Sequence, residues 1–361
     1  HLEPQEDTLR IRYRIDGMLY DFMTMPKERS VPVISRLKIL AGMDISERRR
    51  PQDGHISMQA DGREIDLRLA TLPTVLGEKI VLRVLEETSV LKGLNQLGFE
   101  SDDLEKVRKA VHAPNGMVLV TGPIGSGKTT TLYSALTEVN VQTRNIVTIE
   151  DPVEYQLPGI NQVQVDPKIN LTFAEGLRAV LRQDANVLMV GEIRDVETAK
   201  VAVRAALTGH LLLSTLHTNS ALGAISTLYH LGIEPILLSS AVSCVIAQRL
   251  VRKVCQQCCQ MRLPAAGLRS QLGLPASSKK KIPYAKGCKE CFHTGYSGRT
   301  AVYEVICVSD NLREMILQGA SESAMIEAAK KDKSSFLLEN GKKKVLEGIT
   351  TFEELVRTIY M

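Results

Sequence analysis

The sequence predicts an α/β protein whose largest part is a mostly parallel sheet with helices between its strands. Four short apolar runs, each typical of a buried parallel strand, lie at residues 117–121, 145–149, 186–190 and 211–215. Longer segments with helical spacing separate them. Because strands that alternate with helices connect through right-handed crossovers, this order favours a parallel sheet over an antiparallel one.

The residues before this sheet predict a small mixed α/β domain at residues 1–92. Residues 9–15 alternate apolar and basic side chains, as in a strand with one solvated face, and Asp16 and Gly17 follow as a hairpin turn. Residues 63–69 repeat the alternation, and residues 33–42 have helical spacing. We expect residues 93–103 to link this domain to a sheet core at residues 104–250.

The residues after the sheet core differ in composition. Five of the seven cysteines lie between residues 255 and 291, and without a secretory signal such clustering favours metal ligands over disulfides. Cys244 and Cys307 stand apart and are predicted to be small core residues. Residues 301–361 are rich in Lys and Glu with apolar spacing, which predicts a few helices.

Composition limits the classes of function. The 361 residues are 44% hydrophobic and 24% charged, as in ordinary globular proteins. The 45 basic and 41 acidic side chains, interpreted as spread along the chain, give no argument for nucleic-acid binding. Aromatic residues make up 4%, with no Trp, so a base-stacking platform is not indicated. No apolar run reaches the roughly 18 residues that a bilayer span needs.

The most specific motif is a phosphate-binding loop for ATP. Residues 122–129 match G-x-x-x-x-G-K-[ST] between a predicted strand and a predicted helix. Glycines let the backbone N–H groups turn toward phosphate oxygens, and the helix start adds its positive dipole end. Lys128 is predicted to reach the β- and γ-phosphates, and the Thr129 hydroxyl to bind Mg²⁺. The loop residues predicted to bind nucleotide are Gly122, Pro123, Ile124, Gly125, Ser126, Gly127, Lys128, Thr129 and Thr130.

Polar residues follow the later strands, at the edge where an open α/β sheet binds ligands. Glu150, Asp151 and Glu154 come after one strand, where carboxylates can hold Mg²⁺ or its waters. Glu192 follows the next strand, where many phosphate-loop enzymes have a metal-binding Asp, and it can polarise the attacking water. His217 ends a further strand and can sense the γ-phosphate.

These motifs, in this order, resemble those of the type II/type IV secretion ATPase superfamily. The segments that begin at Gly122, Thr148, Val190 and Ser214 are similar to its Walker A, Asp box, Walker B and His box. The resemblance includes residues 14–17, 50–54 and 69–74. It implies a RecA-like phosphate-loop ATPase core preceded by a small PAS-like α/β domain, with a four-cysteine zinc insert at residues 251–300 and a helical C-terminal region.

Within the superfamily, the cysteines favour the type II secretion and type IV pilus extension ATPases, which carry a metal-binding insert. Cys255 and Cys258 form one C-x-x-C pair, and Cys288 and Cys291 form another, with 29 residues between the pairs. Four thiolates leave no open coordination position, so a structural Zn²⁺ is expected. Cys259 could compete with Cys258 as a ligand, and reduced thiols without metal are the alternative.

The resemblance also implies that the phosphate loop is only part of the active site, which the N-terminal domain of the same or a neighbouring subunit completes. An arginine near the γ-phosphoryl accelerates hydrolysis by roughly 10³–10⁵. None adjoins the phosphate loop, whereas Arg68 and Arg83 match arginines that the family carries on its N-terminal domain. A hinge at residues 93–103 and a homo-hexameric ring follow from the same resemblance. The predicted catalytic residues are Glu192, Glu150, Arg68, Arg83 and His217.

The implied partners are an inner-membrane platform protein and a recruitment protein, with the motor peripheral at the cytoplasmic face of the bacterial inner membrane. A preceding recruitment domain is expected upstream of His1. Powering type II secretion and extending a type IV pilus remain alternatives. Outside the family, a small-molecule kinase would need an acceptor pocket and lid. A RecA-like nucleic-acid translocase and a nucleotide-responsive scaffold without turnover would share the phosphate loop.

Overall fold

A computed structural model of the chain describes residues 1–60, 62–86 and 92–360. The chain divides into two compact units, His1–Val90 and Leu91–Met361. Both contain helices and strands, so the predicted α/β class is confirmed. The end of the predicted N-terminal domain, at residues 87–91, lies outside the described residues.

The first unit is an antiparallel sheet with one α-helix. Its elements are β1 (Leu2–Pro4), β2 (Thr8–Ile15), β3 (Met18–Pro26), α1 (Ser30–Leu40), β4 (Gln52–Ala60), β5 (Arg63–Thr74) and β6 (Gly77–Glu86). The strand order is β3-β2-β1-β6-β5-β4. Asp16 and Gly17 turn the β2–β3 hairpin with positive φ values of 49° and 87°, the backbone that a two-residue turn requires. Ile34 of α1 joins Leu9 and Ile80 in one buried apolar cluster.

The second unit is built on a seven-stranded sheet in the order β15-β12-β7-β11-β10-β8-β9. Every neighbouring pair is parallel except β12 and β15. Its strands are β7 (Gly116–Thr121), β8 (Ile146–Glu150), β9 (Asn161–Gln164), β10 (Val187–Val190), β11 (Leu211–Leu216), β12 (Val242–Val254) and β15 (Tyr296–Cys307). A separate antiparallel pair consists of β13 (Cys259–Arg262) and β14 (Ile282–Ala285). The four predicted strands are thus found within one or two residues of their predicted ends.

Helices cover this sheet and form the C-terminal region. They are α2 (Ser101–Val111), α3 (Lys128–Val139), α4 (Phe173–Val180), α5 (Val196–Leu207), α6 (Ala221–His230), α7 (Pro235–Ala241), α8 (Ala266–Gln271), α9 (Asp310–Leu317), α10 (Glu322–Lys331), α11 (Leu337–Leu346) and α12 (Phe352–Ile359). Side-chain caps set several starts: Thr172, Asp195 and Ser220 each accept a backbone N–H of the helix that follows. Among the described helices, none combines the length and apolarity that crossing a membrane requires.

The core sheet extends into the predicted insert from both sides. β12 continues to Val254 and β15 starts at Tyr296, because the two strands pair along almost their whole length. The cysteine segment, as we define it here, is therefore residues 255–295. The apolar run at residues 236–247 divides into α7 and the start of β12. In the predicted linker, Leu94 is buried in the apolar core of the second unit; a hinge at residues 93–103 stays a prediction.

Candidate nucleotide site and cysteine cluster

The phosphate loop (residues 122–129) joins the end of β7 to the start of α3, as predicted. A Cβ on Gly122 would lie 2.5 Å from the Gln248 carbonyl oxygen, so this position admits only glycine. The Ser126 hydroxyl is buried and has no hydrogen-bond partner among the described residues. A phosphate oxygen would accept from such a donor, and the start of α3 favours an anion at the same place.

Lys128 and Glu192 are joined through His217. Lys128 Nζ donates to the Gly122 and Pro123 carbonyl oxygens, at 2.9 and 3.2 Å, and lies 3.4 Å from His217 Nδ1. His217 Nε2 lies 3.2 Å from Glu192 Oε2. An ammonium only donates and a carboxylate only accepts, so a neutral His217 with its proton on Nε2 satisfies both contacts. Three predicted site residues from three separate motifs therefore form one hydrogen-bonded chain.

Burial and ion pairing adjust the two ends of this chain. Burial lowers the pKa of Lys128 from its ordinary value, and the Glu192 carboxylate opposes that shift. Glu192 is also held by Arg194, with Nη2 2.5 Å from Oε1. Arg194 was not among the predicted site residues, although it lies in the same motif. Glu192 therefore has a cation on one oxygen and an imidazole on the other.

Glu150 occupies a different environment from Glu192. Its carboxylate is buried and accepts hydrogen bonds from Tyr133, Thr148 and Gln162, the last two at 2.5 and 3.0 Å. Burial raises the pKa of Tyr133 and the neighbouring carboxylate raises it further, so the phenol stays protonated and donates. Since Tyr133 lies on α3, Glu150 connects β8 to the helix that begins at the phosphate loop.

The remaining predicted nucleotide ligands lie near the surface. Thr129, Thr130 and Asp151 are exposed, and Glu154 is half-buried with its backbone N–H 3.4 Å from the Tyr133 oxygen. Exposed hydroxyl and carboxylate oxygens on either side of a phosphate-binding loop are the groups that Mg²⁺ uses in such sites. The structure is consistent with this assignment, which remains a prediction.

Arg68 and Arg83 lie in the first unit, directly opposite each other on β5 and β6. On the other side of β5, His55 of β4 lies directly opposite Arg68. Directly opposed residues share one face of the sheet, and like charges there repel.

The four predicted cysteine ligands converge. The Sγ atoms of Cys255, Cys258, Cys288 and Cys291 all lie within 4.8 Å of one another, with three pairs at 3.7–3.9 Å. A tetrahedral site with Zn–S bonds of 2.3 Å needs an S–S separation of about 3.8 Å. These thiols can therefore hold a metal ion with tetrahedral geometry.

Backbone donors favour a thiolate at this cluster. Burial raises the pKa of the Cys291 thiol, but N–H groups of Cys288 and Gly295, each 3.2 Å from Sγ, together with the Cys288 and Cys258 thiols, outweigh it and hold that pKa below its usual range. Metal-bound thiolates commonly have such second contacts. Cys259 is not part of the cluster and begins β13.

The concentration of basic residues in one part of the chain was not predicted from the sequence. Residues 251–300 contain ten basic and one acidic side chain, a net charge of +9, so the rest of the chain has a net charge of −5. The exposed basic residues are Lys253, Arg262, Lys279, Lys280, Lys281, Lys286, Lys289 and Arg299. A count over a 50-residue window, rather than the whole-chain balance, would have revealed them.

Known proteins are similar to this chain in sequence and in fold. A family model described as "Type II/IV secretion system protein" matches residues 1–357. "Type II secretion system protein E" of Pseudomonas aeruginosa is 48% identical over 99% of this chain and 71% of its own length. "Type IV pilus assembly ATPase PilB" of Myxococcus xanthus is 46% identical over 99% and 64%. The structure of the pilus retraction motor PilT with bound ADP matches with a TM-score of 0.67 at 25% identity, covering 98% of this chain and 90% of that one. This chain belongs to the type II/IV secretion system protein family.

Proposed function

We propose that this chain is a motor ATPase that hydrolyses ATP to ADP and phosphate, and that it powers type II protein secretion or type IV pilus extension. The observation that carries the proposal is the hydrogen-bonded chain of Lys128, His217 and Glu192 beside the phosphate loop. Relatives at 48% and 46% identity named for type II secretion and for a pilus assembly ATPase support both the activity and the two candidate machines.

In this mechanism the phosphate loop and Lys128 bind the β- and γ-phosphates, and Thr129, Asp151 and Glu154 would hold Mg²⁺ or its waters, which would neutralise phosphate charge. Water attacks the γ-phosphorus, the bond to the ADP oxygen breaks, and Glu192 takes the proton of the water. Lys128 exchanges the Gly122 and Pro123 carbonyl oxygens for phosphate oxygens. Because His217 contacts both Lys128 and Glu192, the movement of Lys128 toward the phosphates alters the contact between His217 and Glu192.

Glu150 has a positioning role in this proposal. All its observed partners are protein donors, and its carboxylate is buried, so it fixes the acid-bearing residues 150–154 to α3. Glu192 is the only carboxylate to which the proposal assigns the proton of the attacking water, and its two oxygens are held by Arg194 and His217. Glu150 therefore takes no proton in this proposal.

We propose that Arg68 and Arg83 supply positive charge to the γ-phosphoryl during hydrolysis. Their opposed positions on β5 and β6 support an anion-receiving role, and the γ-phosphoryl is the anion proposed. Either the same chain or a neighbour in a homo-hexameric ring supplies them. Coupling of site closure to bound ligand is what would convert hydrolysis into displacement.

Zinc is the metal proposed for the cysteine cluster. Four thiolates at tetrahedral separations match the ligand set of structural Zn²⁺ and leave no position for a substrate. Its role here is to fix residues 255–295, whose two strands β13 and β14 form a small sheet of their own.

The proposed partners are an inner-membrane platform protein and a recruitment protein, with the motor peripheral at the cytoplasmic face of the inner membrane. The net charge of +9 in residues 251–300 supports a position near an anionic surface, because each basic residue there contributes about 1 kcal/mol. Co-sedimentation with phosphatidylglycerol vesicles tests this: binding that falls with salt supports it, and absence of binding at low salt contradicts it.

ATP turnover by the purified ring tests the function. We expect Mg²⁺-dependent phosphate release that is lost in Lys128→Ala, and a fall of about 10³-fold or more when Arg68 and Arg83 are both changed to Ala. Arg36→Ala, on the exposed side of α1, is the matched control and should leave turnover unchanged. A wild-type ring that releases no phosphate would refute the ATPase proposal.

Mixed rings decide which subunit supplies the arginines. Chains with Arg68→Ala and Arg83→Ala keep Lys128, whereas Lys128→Ala chains keep both arginines. If a neighbour supplies the arginines, mixing the two inactive chains restores part of the turnover. If each chain supplies its own, no mixture is active.

A further inference from the structure

Gln248 of β12 contacts the phosphate loop although it lies about 120 residues further along the chain. Its side-chain Nε2 donates to the Ser126 carbonyl oxygen at 2.7 Å, and its Oε1 accepts from the Thr131 hydroxyl at 2.8 Å. Because a carbonyl oxygen only accepts, the amide nitrogen must face Ser126, which fixes the orientation of the side chain. The residue is 1% exposed, so both amide atoms depend on these two partners.

The backbone of Gln248 also lies against the phosphate loop. Its carbonyl oxygen excludes a side chain at Gly122, as described above, and its Nε2 would lie 3.3 Å from a Cβ on Gly127. Gln248 therefore lies against Gly122 at the start of the phosphate loop and against Gly127 near its end. These contacts come from an interior strand of the sheet, paired with β7 on one side and the edge strand β15 on the other.

Because a peptide group is planar, the contact between Gln248 and the Ser126 carbonyl oxygen also sets the direction of the next backbone N–H group. In a trans peptide the carbonyl oxygen and the following N–H point in opposite directions. The Ser126 carbonyl is directed at Gln248, so the N–H of Gly127 is directed away from Gln248. A loop of this class binds phosphate through its backbone N–H groups, and the direction of each one sets the affinity.

The next residue on the strand holds the second loop of the site. Arg249 alternates to the other face, is 5% exposed, and donates to the Asn219 carbonyl oxygen and side-chain Oδ1 at 3.0 and 3.2 Å. Asn219 ends the segment that begins with His217. Two consecutive residues of β12 thus fix the phosphate loop and the His217 segment relative to one strand.

We propose that Gln248 is a positioning residue for ATP binding, which orients the phosphate-loop backbone through the Ser126 carbonyl. The inference rests on the proposed binding of nucleotide but not on turnover. Gln248→Leu removes the amide at nearly constant size, and Gln248→Glu keeps an acceptor for Thr131 while losing the donor to Ser126. Thr131→Val is the matched control, since it removes the other partner of the amide and leaves the donor to Ser126 in place.

Equilibrium binding of a fluorescent ATP analogue with Mg²⁺, together with steady-state kinetics, provides the test. We expect the Kd and the KM for ATP to rise about 10- to 100-fold in Gln248→Leu and Gln248→Glu, because a buried carbonyl loses its donor. We expect kcat to stay within about threefold, and Thr131→Val to change Kd by less than about threefold.

Two results would overturn the assignment. One is a lowered Tm in both Gln248 variants with Kd and KM unchanged, which is a structural role alone. The other is a Kd in Thr131→Val that rises as much as in Gln248→Leu. If Gln248→Leu does not fold, Gln248→Glu and Thr131→Val still decide between the outcomes. A wild-type chain that binds ATP without turnover refutes the ATPase proposal but leaves this test intact.

Discussion

The cysteine segment connects two strands of the seven-stranded sheet, β12 and β15, but the segment and the sheet are stabilised differently. In β7, β10 and β11 every residue is buried, and the apolar clusters on the two faces of the sheet do not depend on any bound ion. Residues 255–295 have a two-stranded sheet, a six-residue helix and few buried apolar side chains, among them Leu272 and Ile282. A two-stranded sheet is marginal in water without further support.

The difference separates the sheet core, which positions the residues of the nucleotide site, from the cysteine segment, for which we propose a metal ion. Apolar burial holds the strand ends in place, and Lys128, His217 and Glu192 meet at this edge of the sheet. In the cysteine segment four thiols lie together, and we propose that a bound metal ion stabilises it. Cys255 directly follows the end of β12 at Val254, so the strand that holds Gln248 against the phosphate loop also leads into the thiol cluster.

The largest expected effect comes from removing the metal ligands. Cys258→Ser together with Cys291→Ser takes one ligand from each pair, and bound zinc should fall from one per chain to none. Metal binding contributes on the order of 10 kcal/mol in small zinc sites, so β13 and β14 should lose amide protection in hydrogen exchange. The amides of β7 and β11 should keep theirs. A segment that stays protected without metal would remove the distinction between the two regions.

A smaller effect is expected inside the sheet core. Tyr133→Phe removes one of the three donors to the buried Glu150 carboxylate and should cost about 1–3 kcal/mol in urea unfolding, with zinc content unchanged. Tyr155→Phe is the control, because its ring packs against Tyr133. Equal losses of stability in the two variants would contradict the assigned role of the Tyr133 hydroxyl.

The smallest effect is predicted for Cys259→Ser. Cys259 adjoins Cys258 in sequence but is not part of the thiol cluster. Zinc content should stay at one per chain, and the free energy of unfolding should change by no more than about 0.5 kcal/mol. Loss of zinc in this variant would show that Cys259 is a ligand.

Much of the sheet core could be predicted from the sequence for a physical reason. Parallel strands buried on both faces appear as continuous apolar runs, and their carboxyl ends meet at one edge, so Glu192 and His217 could be expected near Lys128. The clustering of the cysteines likewise indicated metal ligands, and four of their Sγ atoms do lie together. By contrast, an apolar run alone does not separate a strand from a helix, which is why residues 236–247 gave no sign of the change from α7 to β12.

The residues that were missed have no local pattern. Gln248 is a neutral amide whose role depends on a carbonyl about 120 residues away. Tyr133 looks like one more apolar residue on the buried face of α3, and only the structure shows its bond to Glu150. Glu150 looked like Glu192 in sequence, since both follow a strand, but burial among three donors separates their roles.

Glu192→Gln tests the central claim, that Glu192 acts on the attacking water beside the phosphate loop. The amide keeps the size of the side chain but cannot take a proton. With γ-labelled ATP and Mg²⁺, we predict ATP binding close to wild type and phosphate release lowered by about 10²–10⁴-fold. Glu197→Gln, an exposed acid on α5, should leave both unchanged. Phosphate release by Glu192→Gln at the wild-type rate would contradict the account.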